Sequence, residues 1–157
     1  MIGGAVIVMR RVGSNETYVG QIPLQLFRDN KFSQKLYLDE ATRIVFEGLE
    51  NLKVSKAEPI NVCSGYLLSK ASDRLRSKGF NLSIQRIVGK TQKLAENEFV
   101  KSLVKMGVED EINVSKMRSF KRLLSWVRED LPERERFVKT GWKSWTKYGK
   151  VYNDHEN

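Results

Sequence analysis

A strand, a helix and a second strand compressed into residues 59–93 leave this chain few folds to choose from. After Pro59, Ile60-Asn61-Val62-Cys63 is a short β-favouring run that stops at Ser64-Gly65. Leu67, Leu68, Ala71 and Leu75 then recur at helical spacing, with Lys70, Asp73, Arg74 and Arg76 on the opposite side. Gly79 stands where a helix C-cap glycine is expected, and Phe80, Leu82, Ile84, Ile87 and Val88 supply the next strand. Two strands joined through a helix over so short a span predict a crossover between parallel strands, and hence an α/β fold.

The other elements arrange themselves around that unit. Residues 4–12 and 17–27 predict two strands joined by a turn at 13–16, with Pro23 marking an edge strand or a bulge. Residues 32–38 predict a shorter third strand. Asp39 then caps a helix in which Ala41, Ile44, Val45, Gly48, Leu49 and Leu52 share one face. A further helix spans 94–106 and ends at Gly107. The order over residues 1–107 is β-β-β-α-β-α-β-α, one domain. Residues 108–157 form a two-helix basic C-terminal extension with a polar tail. One of its helices carries Val114, Met117, Phe120, Leu124 and Val127 and stops before Pro132. The other runs from Pro132 to about Tyr148, with Val138, Trp142 and Trp145 aligned.

Three stretches repeat a known pattern: Cys63-Ser64-Gly65-Tyr66, the helix ending Glu47-Gly48-Leu49, and Asn97-Glu98-Phe99-Val100-Lys101-Ser102-Leu103 after the Gly89-Lys90-Thr91-Gln92 loop. In that order they resemble the ribonuclease H-like superfamily. They resemble its Asp-Ser-x-Tyr at the end of the fourth strand, its first helix, and the Asn-Glu-x-Ala-Asp-x-Leu opening of its last core helix. The resemblance implies a ribonuclease H-like mixed five-stranded sheet with a C-terminal helical extension. The family grips two Mg²⁺ ions with four carboxylates. On this alignment those positions are Cys63, Lys101 and Ala41, together with a first strand that has no acid. A thiol and an ammonium do not ligate a hard cation. The resemblance therefore implies a degenerate member with no catalytic residue, no metal and no cofactor. Gly3-Gly4-Ala5-Val6-Ile7-Val8 also resembles the family's second strand; taking residues 5–12 as the first keeps the central strand in place.

Charge points to a partner. The net charge is +9, which favours polyanions, nucleic acid before membrane surface. No apolar run reaches the ~20 residues of a membrane span, and the apolar start reads as a strand, not a signal peptide. One cysteine rules out an internal disulfide and fits a reducing, intracellular compartment, cytoplasmic or nuclear. The single histidine, His155, gives zinc or imidazole chemistry little to work with.

Lys70, Arg74, Arg76, Lys78, Arg86, Lys90 and Lys93 form a run of cations with Asp73 the only acid between Lys70 and Lys93, and are candidate phosphate contacts. Their alternative is a solvated helix face and loop. Arg136, Lys139, Lys143, Lys147 and Lys150 form a second set, without an acid, interleaved with Trp142, Trp145 and Tyr148, and Lys139, Lys143 and Lys147 are its candidate phosphate contacts. There the aromatics either stack on bases or, the favoured alternative, pack inward while the lysines reach out. Cys63 is expected to be a buried structural thiol. Glu40, Glu47, Glu96 and Glu98 are the acids available for any rearranged metal site. These residues point to a non-catalytic module that binds RNA or DNA, duplex or structured, within a larger nucleoprotein complex. The rivals are a protein-docking module acting through the C-terminal helices and a nuclease with a rearranged acidic site.

Overall fold

β-branched Val6, Ile7 and Val8 extend the chain as β1 (Ala5–Arg10), and Thr17, Val19 and Ile22 do the same in β2 (Thr17–Ile22). Gly13, at φ +84°, turns the chain, and the Arg11 amide donates to the Glu16 carbonyl at 3.0 Å to close the hairpin. The structure, a computed structural model, describes residues 1–117, 119–143 and 145–147, without the side chain of Ile112. They fall into two compact units: Val6–Ile22 with Lys35–Glu98, and Met1–Ala5 with Pro23–Gln34 and the chain from Phe99 onward.

In the first unit the hairpin lies against α2 (Leu36–Asn51). Contact is so close that a Cβ on Gly20 would fall 2.3 Å from Ile44 Cγ2, and one on Gly48 2.5 Å from Met9 Sδ. Only glycine fits at those two points. Beyond α2, β3 (Ile60–Cys63) and β4 (Leu82–Gln85) pair in parallel, with Ile60 opposite Leu82 and Cys63 opposite Gln85. Between them α3 (Ser69–Ser77) buries Ala71 and Leu75, and Gly79 turns out of it at φ +81°. The strand–helix–strand unit therefore stands where the sequence puts it, although β4 stops before Ile87 and Val88. α4 (Lys90–Lys105) follows and belongs to this unit as far as Glu98.

The mixed five-stranded sheet is overturned. Among the described residues the strands form two sheets of two strands each, β1–β2 and β3–β4. β2 does not continue to residue 27. It ends before Pro23, which has no amide to offer a ladder, and Leu24–Phe27 is a 3₁₀ turn. The third strand expected over 32–38 is helical instead: α1 (Asp29–Ser33), then the start of α2. The apolar face of α2 begins earlier than Ala41. Tyr37 and Leu38, one turn before it, are buried with it, and Asp39 falls inside the helix rather than capping it.

The second unit is helical, but its helices are shorter than expected. Those after α4 are α5 (Glu111–Lys116), α6 (Phe120–Glu129) and α7 (Leu131–Arg134). Asp110, Ser119 and Asp130 each accept a hydrogen bond from the backbone amide three residues on, at 2.9, 3.3 and 3.4 Å, and so start a new helix. After α7 a 3₁₀ turn leads to Val138, which is extended and bridged antiparallel to Ile2. The helix expected from Pro132 to Tyr148 is therefore not continuous, and Tyr148 lies outside the described residues. Ile2, Leu103, Val127 and Val138 centre a core ringed by Trp126, Phe137 and Trp145. Truncating a residue such as Leu103 to Ala costs about 2–5 kcal/mol. The indole N–H of Trp145 donates to Glu135 at 2.8 Å, so this tryptophan packs inward with its polar atom satisfied.

Candidate nucleic-acid interface

The cations expected to act together meet two different environments. On α3, Lys70 is ion-paired with Asp39, and Arg76 Nη1 is 3.5 Å from Asp73 Oδ1. Arg74 and Lys78 each sit 5.8 Å from the centroid of the Phe46 ring. Asp39, Phe46, Glu47 and Glu50 come from α2 and line, with Arg74 and Lys78, a cleft of about 540 Å³. Exposed pairs of this kind add only ~0–1 kcal/mol each to stability. Lys70 and Arg76 are thereby each tied to an aspartate, while Arg74 and Lys78 rest against the Phe46 ring, with Glu47 and Glu50 in the same cleft.

Arg86, Lys90 and Lys93 differ. All three are exposed, and among the described residues their side chains meet no carboxylate. Arg86 follows the last residue of β4. Gly89, at φ +74°, swings the chain into α4, whose first turn holds Lys90 and Lys93 and no acid. The unpaired amides at a helix start add positive potential there. A fourth cation joins them that sequence reasoning missed. Arg10, at the end of β1, donates through Nε to Thr91 Oγ1 at 3.1 Å, across a sequence separation of 81. Such a contact leaves no local signal, because the fold alone brings β1 to the start of α4. One turn further along, Glu96 accepts from Gln92 at 3.1 Å.

In the other unit Lys139 is partly buried. Its Nζ lies 4.3 Å from the Phe27 ring centroid, and burial pulls its ammonium down to about 8. Lys143 and Lys147 are exposed.

Cys63 is exposed, which corrects the expectation of a buried thiol. Strand periodicity is the reason: Ile60 and Val62 are partly buried, and the alternate residues Asn61 and Cys63 face outward. Glu40 and Glu47 both accept from Arg43 on the same helix, Glu40 at 2.8 Å. That hydrogen bond holds the Glu40 carboxyl below the usual carboxylate range. Among the described residues no three His, Cys, Asp or Glu side chains gather as a metal cage would require, and no helix is long and apolar enough to cross a membrane. No protein family, curated protein or solved structure matches the chain, so the site's own chemistry has to carry the functional argument.

Proposed function

We propose that the protein binds RNA or DNA, in duplex or structured form, by holding phosphates with Arg10, Arg86, Lys90 and Lys93. The observation that carries this reading is the unopposed positive charge around Gly89: three exposed cations with no acid partner among the described residues. A cation paired with a carboxylate gains less from a phosphate than a free one does, and counterion release supplies most of the affinity for a phosphate backbone. Lys70 and Arg76, each paired with an aspartate, therefore play a lesser part than their place in the sequence implies. Lys143 and Lys147 offer separate phosphate contacts from the other unit. Contacts of this kind position a backbone without reading bases, so the binding is weakly sequence-specific.

The test is charge reversal. Arg86→Glu combined with Lys90→Glu is expected to weaken binding to a labelled duplex in low salt by about tenfold or more. Both positions are exposed, so the fold survives the change. Unchanged affinity would sink the proposal.

A further inference from the structure

Parallel pairing sends the chain off the same edge of the sheet after both β3 and β4. Because Cys63 lies opposite Gln85, the segment Ser64-Gly65-Tyr66 and the segment from Arg86 to Lys90 leave that edge side by side, from strands ~5 Å apart. The carboxyl edge of parallel strands is where open α/β sheets present their ligand sites. What this edge presents is unusual for a surface. Tyr66, on the first segment, is 58% exposed, and the second carries Val88, 60% exposed, with the exposed cations Arg86 and Lys90.

The Tyr66 backbone is held. It opens the 3₁₀ turn Tyr66–Leu68, in which the Leu68 amide donates to the Gly65 carbonyl at 3.1 Å and Ser69 Oγ donates to the Tyr66 carbonyl at 2.8 Å. Lys35 Nζ stands 5.8 Å from the ring centroid, a further cation at the same place. A large, exposed aromatic ring on a fixed turn, with Lys35 over it and Arg86 and Lys90 on the segment leaving the paired strand, matches one kind of ligand: a flat π-system joined to a phosphate. Aromatic side chains beside a basic track are how proteins hold unpaired nucleotides without reading their identity.

From this juxtaposition we infer that Tyr66 is a stacking platform for an unpaired base, next to the backbone held by Arg86, Lys90 and Lys93. This rests on the proposed nucleic-acid binding and deepens it. The preferred ligand is then a junction where paired and unpaired segments meet, not a blunt duplex. Purine and pyrimidine are both accepted, because every base has a face to stack.

The experiment compares two oligonucleotides with the same stem, one blunt-ended and one with a short single-stranded overhang carrying 2-aminopurine, against the wild-type chain, Tyr66→Ala and Tyr66→Trp. Wild type is expected to favour the overhang by about fivefold or more, and to change the 2-aminopurine emission on binding. Tyr66→Ala is expected to lose both effects while holding the blunt duplex as wild type does, and Tyr66→Trp to retain them. If Tyr66→Ala matches wild type on both ligands, or weakens both equally, the stacking platform is refuted and backbone binding stands. If the wild-type chain shows no salt-sensitive binding to either oligonucleotide, the backbone reading fails and the platform with it.

Discussion

The cations of α3 and those around Gly89 are close in sequence and alike in composition, but their surroundings separate them. α3 packs beside α2, and α2 turns Asp39, Glu47, Glu50 and the Phe46 ring toward it. At the Gly89 turn Arg86, Lys90 and Lys93 have no carboxylate partner among the described residues, and Thr91 is tied to another cation, Arg10. Charge density along a chain therefore does not measure charge available to a ligand. What counts is which element packs opposite, and whether it carries acids.

Lys139 extends the comparison to a partly buried cation packed on an aromatic ring, and it gives the largest expected effect. Its ammonium titrates at about 8 in the folded chain against an ordinary 10.5, so between those values the unfolded chain holds the extra proton. Stability should therefore rise with pH across about 8 to 10.5, by up to about 3 kcal/mol. Lys139→Met should flatten that rise and stabilise the protein at pH 7, as urea denaturation at several pH values would show. A rise that survives the substitution would place its source elsewhere.

Freeing the α3 cations should narrow the difference between the two regions. Asp39→Asn with Asp73→Asn removes the acids paired with Lys70 and Arg76, and affinity for a duplex at low salt should rise about threefold. A binding titration showing no gain would mean that α3 lies outside the contact surface altogether. A smaller effect is expected at the sheet edge. Cys63, exposed one residue before Ser64-Gly65-Tyr66, should react promptly with a maleimide in the folded protein and about twofold more slowly when an overhang oligonucleotide is bound. An unchanged labelling rate would place the ligand away from that edge.

How much of this was legible depends on how local the signals are. The crossover was readable because Pro59, the Ser64-Gly65 break, the period of Leu67, Ala71 and Leu75, and Gly79 all lie within one short stretch. The false third strand came from the apolar residues of 32–38. Tyr37 and Leu38 satisfy a strand's alternation poorly and a helix's period well once they are joined to Ala41, and that is how they fold. Ser119, Asp110 and Asp130 were cap signals present in the sequence, and reading them would have divided the C-terminal helices correctly. Cys63 could also have been assigned to the open face from its alternation with Val62. The pairing of Lys70 with Asp39, at a separation of 31, and the approach of Arg10 to Thr91 were not legible, because both depend on how elements pack.

The most direct test of the difference between the two regions is the slope of log affinity against log salt for a duplex ligand. Arg86→Gln with Lys90→Gln should reduce that slope by about two, one for each lost phosphate contact, while Lys70→Gln with Arg76→Gln, the acid-paired cations of α3, should leave it within about half a unit of wild type. A slope carried by the α3 pair, or left unmoved by the pair at the Gly89 turn, would contradict the account.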